Sequence, residues 1–166
     1  PYTFEECKFA TELLDGIKKP ITFYPYTLGS NPNNAHEKYI RSPKEEWWLG
    51  LFEAVKRAGG QPIVLGGEKE RVNWGTTDVI EAYTHNENWR YNIPLLYYIS
   101  GHVGIASWPW QLTHYYNVVN TCVVWINNQF WIDRSVAEDQ DKLHIYQEVP
   151  TYDKIISDLG VLNENY

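Results

Sequence analysis

The sequence predicts an α/β chain with a doubly wound, mostly parallel sheet and helices on both faces, and three observations carry that prediction. Short apolar runs alternate with amphipathic stretches along the chain. The segment Arg41 to Gly67, RSPKEEWWLGLFEAVKRAGGQPIVLGG, reads as a capped helix feeding a buried strand that ends in a glycine pair. Ahead of it lies the apolar run Ile21-Thr22-Phe23-Tyr24-Pro25, followed by a loop containing Gly29-Ser30. Strand, glycine loop, helix, strand, glycine loop is the order of a βαβ unit. Ligands of such units gather at the carboxyl ends of the strands, where loops and helix N-termini meet.

The elements follow in order. Phe4 to Ile17 has helical spacing, with Phe9, Ala10, Leu13, Leu14 and Ile17 apolar, and Thr3 with Glu6 forms a capping-box pattern. Gly16 and Lys18-Lys19-Pro20 end it. Ile21 to Tyr24 is the first strand, and Tyr26 to Lys38, rich in Asn, Pro and Gly, is a loop. Ser42-Pro43-Lys44-Glu45 reads as a helix start, with Ser42 capping, Pro43 at the first helical position and Glu45 completing a capping box. Trp48, Leu51, Phe52 and Val55 share one face, and Gly59-Gly60 terminate that helix. Gln61 to Leu65 is the second strand and Thr76 to Tyr83 the third. Ile93 to Ile99 reads as a short helix, Val103 to Ala106 as a buried strand, and Trp108 to Tyr116 as a helix with Ser107 at its cap. Thr121 to Trp125 is a β-branched strand and Leu143 to Tyr146 the last one. Pro150 to Leu159 closes the chain as a helix ended by Gly160.

Bulk composition narrows the function. The 166 residues suit one domain, 1–166, divided into an N-terminal helix (1–20) and a core (21–160). A formal charge of −7 argues against a phosphate-backbone interface, which needs clustered Lys and Arg, but leaves room for one small anion at a local basic spot. No apolar run approaches the ~18 residues that span a bilayer, and no secretory leader is visible. Cys7 and Cys122 are read as free thiols of a reducing compartment, so the cytoplasm is the expected location. Methionine is absent, which we read as either a processed N-terminus or, in preference, a piece cut from a longer protein.

The order of motifs resembles the C-terminal, nucleotide-sugar-binding domain of GT-B-type glycosyltransferases, a Rossmann-like half of that fold, and within it the heptosyltransferase-like family. Tyr24-Pro25 with Gly29-Ser30 resembles the family's first loop, and Arg41-Ser42-Pro43 its basic-plus-Pro helix start. Val64-Leu65-Gly66-Gly67 resembles the second loop, and Gly104-Ile105-Ala106-Ser107-Trp108-Pro109-Trp110-Gln111-Leu112 the later Gly-x-Asp-Ser-Gly-Pro-x-His-Leu segment, with Cys122-Val123-Val124 as the strand behind it. The resemblance runs from about Ile21 to Leu159. The chain departs from the pattern at Ala106 (for Asp), Trp108 (for Gly) and Gln111 (for His). A family Lys falls near Ile40, leaving Arg41 or Lys38 to supply the charge.

The resemblance implies a nucleotide-diphosphate sugar as donor substrate, a glycan or other hydroxyl acceptor, no cofactor, no bound metal, and a missing N-terminal domain. Ser107, at a helix N-terminus, is placed to hold a diphosphate through its hydroxyl and the free N–H groups, or is simply a cap. Arg41 is suited to bidentate phosphate pairing, its charge being unfavourable beside a helix start otherwise. Lys38 is either a second cation for the site or a solvated loop residue. Gly29 and Ser30 either let the backbone approach a ligand or form a plain turn. Gly66 and Gly67 would floor the nucleotide site, and Glu68 either meets a ribose or is exposed. Trp108 and Trp110 either line the donor pocket or pack in the core.

Other chemistries find little support. Asp139-Gln140-Asp141 has the outline of a metal-binding Asp-x-Asp but sits in a charged stretch and reads as a solvated loop. His36, His85, His102, His114 and His144 show no HExxH spacing, and no Gly-x-Ser-x-Gly elbow occurs. No catalytic base is assigned, since in such transferases it usually comes from the N-terminal domain. The rival expectations are a non-catalytic Rossmann-like binding domain with an aromatic glycan- or protein-binding surface, and a different doubly wound enzyme.

Overall fold

Parallel pairing organises the whole chain. The structure is a computed structural model, and it describes residues 2–25, 42–66, 74, 78–83, 89–105, 109, 112–113, 119–124 and 141–162. The strands are β1 (Pro20–Tyr24), β2 (Gln61–Gly66), β3 (Ile80–Tyr83), β4 (Gly101–Gly104), β5 (Thr121–Val124) and β6 (Leu143–Tyr146). They form one six-stranded sheet in the order β3-β2-β1-β4-β5-β6. Every ladder between them is parallel. This is the expected doubly wound sheet. Its strand order reverses direction between β1 and β4.

Helix α1 (Phe4–Leu13) starts with the expected capping box: Glu6 N–H donates to Thr3 Oγ1 at 3.2 Å and Thr3 N–H donates to Glu6 Oε2 at 2.8 Å. Glu6 is buried and also receives Arg90 Nε at 2.8 Å. Its carboxyl is held below the ordinary value by the Thr3 backbone N–H first and by Arg90 second. The Arg90 contact ties α1 to the 3-10 turn Trp89–Tyr91 that leads into α3 (Asn92–Leu95).

Helix α2 (Glu45–Arg57) corrects one expectation. Its N-cap is Lys44, without a side-chain cap bond, and Ser42 and Pro43 precede it. The buried Ser42 hydroxyl instead accepts from Trp48 Nε1 at 2.9 Å and donates to the Pro43 carbonyl at 3.1 Å. An indole N–H in a fully buried ring needs an acceptor, and that demand outweighs a solvated cap. At the other end Gly60 N–H reaches Val55 O and Gly59 N–H reaches Lys56 O, both at 2.9 Å, a Schellman closure with Gly59 at φ +88°.

Further boundaries moved, and α1 ends at Leu13 rather than at the expected Ile17. Asp78 and Val79 lie outside β3, because the Asp78 carbonyl is taken by the Gln61 side chain at 3.2 Å rather than by a ladder. β4 begins at Gly101, earlier than the Val103 start expected from apolar residues. The helix expected over Ile93 to Ile99 begins earlier and frays after Leu95 into bonds such as Tyr97 N–H to Pro94 O and Tyr98 N–H to Leu95 O. Pro109, Leu112 and Thr113 are helical, in line with the helix expected there. Helix α4 (Tyr152–Leu159) is capped by Thr151 and closed by Gly160 at φ +68°.

The two faces are covered separately, as right-handed crossovers in opposite directions require. Phe23 meets Trp48 and Phe52 of α2 edge-on, with centroids 6.5 and 4.9 Å apart, and Phe52 meets Trp74 at 5.2 Å. A side chain at Gly101 would strike Leu159 of α4, which places α4 on that same face. The alternate residue Thr121 donates to Thr113 at 2.9 Å, so Thr113 covers the opposite face. No described helix is long and apolar enough to cross a membrane.

Candidate functional site

A doubly wound sheet binds at the carboxyl edge of the strands flanking its switch point, here β1 and β4. Described chain reaches that edge at Pro25 after β1, at Gly66, the last residue of β2, and at Ile105 after β4. Tyr24 and Gly104 are register partners there, and Ile105 N–H extends the pairing to Tyr24 O at 3.1 Å. Gly66, an expected site residue, ends β2 with φ +145°, a conformation that side-chain-bearing residues rarely adopt. Gly29, Ser30, Lys38, Arg41, Gly67, Ser107 and Trp108 lie outside the described residues, as do Glu68, Trp110, Asp139 and Gln140.

Two residues deeper, the sheet carries a polar row that the sequence reading did not assign. Register places Ile80, Ile63, Thr22, His102, Thr121 and Leu143 side by side across all six strands. The outer three are apolar and the central three are polar. Thr22, His102 and Thr121 are fully buried. His102 Nδ1 lies 2.9 Å from Thr22 Oγ1, and Thr121 joins Thr113. The row therefore spans the switch point beneath the edge where ligands collect. Its signal in the sequence was faint: a threonine inside an apolar run and a histidine between two glycines.

His102 is the unusual member. Its Nε2 and the Asn92 carboxamide are buried without a hydrogen-bond partner among the described residues. A Cβ built on Gly104 would fall 2.9 Å from Nε2 and 3.2 Å from the Tyr24 carbonyl oxygen. The imidazole thus leans along β4 towards its carboxyl end, and glycine leaves the ring its room. Burial drives the His102 pKa down to about 3, so the ring is neutral at physiological pH and offers a hydrogen bond rather than a charge.

This packing makes a quantitative prediction. Gly104→Val should cost about 1–3 kcal/mol in chemical denaturation by overpacking the seam. The cost should shrink in a His102→Ala background, since the ring is one of the two obstacles. Equal costs in both backgrounds would show that the ring contact is not why glycine is needed.

A second polar group joins β6 to α4. Tyr146 and Lys154 both donate to the Asp158 carboxylate, Lys154 Nζ at 2.7 Å, with His144 Nδ1 at 3.9 Å. Burial raises the Asp158 pKa, but the bonds from Lys154 and Tyr146 and the nearby His144 outweigh it, and the net shift is downward. Cys7 and Cys122 are free thiols. Burial pushes Cys122 up to about 12, which leaves it protonated and unsuited to nucleophilic attack.

Comparison with known proteins adds to this geometry. No protein-family model matches the sequence, and no curated protein matches it. Among solved structures the chain is similar to the ADP-heptose LPS heptosyltransferase II of E. coli, with a TM-score of 0.67 at 9% sequence identity. The match covers 96% of this chain and 51% of that one, so this chain spans about half the length of its structural neighbour. At that identity the likeness is one of fold: the chain is a Rossmann-like α/β unit resembling about half of a glycosyltransferase.

Proposed function

We propose that this chain is the donor-binding half of a glycosyltransferase, holding a nucleotide-diphosphate sugar for metal-independent transfer to an acceptor hydroxyl. The observation that supports this reading most is the likeness of fold, over 96% of this chain, to about half of a heptosyltransferase. Transfer at an anomeric carbon needs stabilisation of the negative charge that develops on the leaving diphosphate. In this reading Arg41 pairs with the phosphates, with Lys38 as a second cation. Ser107 and the N–H groups around it cap the same charge, and Gly29, Ser30, Gly66 and Gly67 let the backbone approach, with Trp108 against the ligand. The base that deprotonates the acceptor belongs to another domain, so the isolated chain binds donor but turns over poorly.

The test is a thermal-shift panel of ADP, UDP, GDP and CDP on the wild-type chain and Arg41→Ala. Ligand at ~100 times its dissociation constant adds about 2.7 kcal/mol to stability. We expect a shift with one nucleotide, reduced in the variant. An absence of shift with all four would reject the donor site and favour an interaction domain. That second reading has its own support: Tyr2, Phe4, Tyr97 and Tyr98 are exposed, and the Tyr2 and Tyr97 rings meet edge-on at 5.7 Å.

A further inference from the structure

We propose that His102 is a ligand-contacting residue of the β1/β4 crevice, its Nε2 accepting a hydrogen bond from a ribose hydroxyl of the bound nucleoside diphosphate, directly or through one water. The proposal rests on the donor-binding reading and deepens it. Three observations carry it. The ring is wholly buried yet leaves one nitrogen unpartnered among the described residues. That nitrogen faces the Gly104 position, where a Cβ would meet it at 2.9 Å, towards the carboxyl end of β4. The edge it approaches is the switch point of the sheet. A buried nitrogen without a partner costs free energy, which a ligand hydroxyl reaching it would recover.

The partner's chemistry follows from the hydrogen-bond chain behind the ring. Thr22 Oγ1 lies 2.9 Å from His102 Nδ1 and 3.4 Å from the Gly101 carbonyl oxygen. When Nδ1–H donates to Thr22 and the hydroxyl donates onward to Gly101, each polar atom of the chain is used. This tautomer leaves Nε2 as a bare acceptor. A bare acceptor repels phosphate oxygens, which are acceptors themselves, and attracts a hydroxyl. On a nucleoside diphosphate the hydroxyl donors are those of the ribose. His102 therefore reads the sugar of the nucleotide, while the diphosphate is left to cationic and N–H groups. Thr22 is the positioning residue that sets the tautomer.

Wild-type chain, His102→Phe and His102→Gln are titrated calorimetrically with the nucleotide giving the largest thermal shift, and with its 2′-deoxy and 3′-deoxy forms. Histidine nitrogen NMR follows His102 in the wild type. Saturation should move the Nε2 resonance more than Nδ1. His102→Phe should weaken the ribonucleotide about three- to tenfold, the worth of one neutral hydrogen bond. It should leave one deoxy form unaffected, and His102→Gln should recover part of the loss. A thermal melt without ligand separates any stability change from the binding effect. Tight nucleotide binding with an unmoved Nε2 and unchanged ribose discrimination in His102→Phe would overturn the proposal alone. Failure of every nucleotide to bind the wild type would overturn it together with the donor-site reading.

Discussion

Truncating Trp48 to alanine is expected to destabilise the protein by about 3–5 kcal/mol, the range for removing a large buried aromatic. Trp48 is fully buried, stands edge-on to Phe23 of β1, and donates its indole N–H to Ser42. The loss therefore combines transfer energy, a cavity between α2 and the sheet, and a buried hydroxyl deprived of its donor. Trp48→Phe separates these terms. It keeps most of the ring but strands the Ser42 oxygen, at a cost of about 1–3 kcal/mol. Urea midpoints at unchanged slope are the measurement. A cost for alanine below ~1.5 kcal/mol would mean that the α2–sheet interface closes over the gap. Ser42 also adjoins Arg41 in sequence, so Trp48→Phe should weaken nucleotide binding as well if Arg41 acts in the site.

Acid should destabilise the wild-type chain well before its carboxylates are protonated. His102 titrates near 6.5 when unfolded and at about 3 when folded, because burial disfavours its cation. Between those values the unfolded chain binds the proton that the native state refuses. The contribution of the neutral ring is complete above pH 6.5 and is lost as the pH falls towards 3. The limiting slope is about 1.4 kcal/mol per pH unit, on the order of 5 kcal/mol across the window. Asp158 acts in a separate range. Its folded pKa lies below the ordinary 3.8, so its contribution is present above that value and is lost only as the pH falls further. Unfolding free energies of wild type and His102→Phe from pH 7 to pH 4 decide the matter. Their difference should change with pH over that range; parallel curves would show that His102 reaches solvent.

Much of the architecture was legible from local patterns. β1, β2, β5 and β6 are runs of apolar or β-branched residues, and each paired in the sheet as its composition suggested. The capping box of α1 and the glycine closures of α2 and α4 were readable because caps are met by neighbours in sequence. β4 was placed too late because its strand character comes from pairing on both sides, not from Gly101, His102 or Gly104. The Ser42 cap failed for a related reason. A capping motif describes what the nearest backbone can use, whereas Ser42 is claimed by an indole that only folding brings to it.

The candidate site divides along the same line. The carboxyl edge and Gly66 follow from the strand-glycine pattern, since in open parallel sheets it is the carboxyl ends of the strands that face ligands. The Thr22–His102–Thr121 row does not, because its members are about 80 and 19 residues apart and meet only through register. Sequence alone determined the class of sheet and the direction of its strands, both set by periodicity and local turn chemistry. The tertiary structure decided which strands flank the switch point, which polar groups are buried beneath it, and that one imidazole nitrogen there has no partner among the described residues. Those are properties of pairs distant in the chain, and burial fixes their protonation and hydrogen bonding.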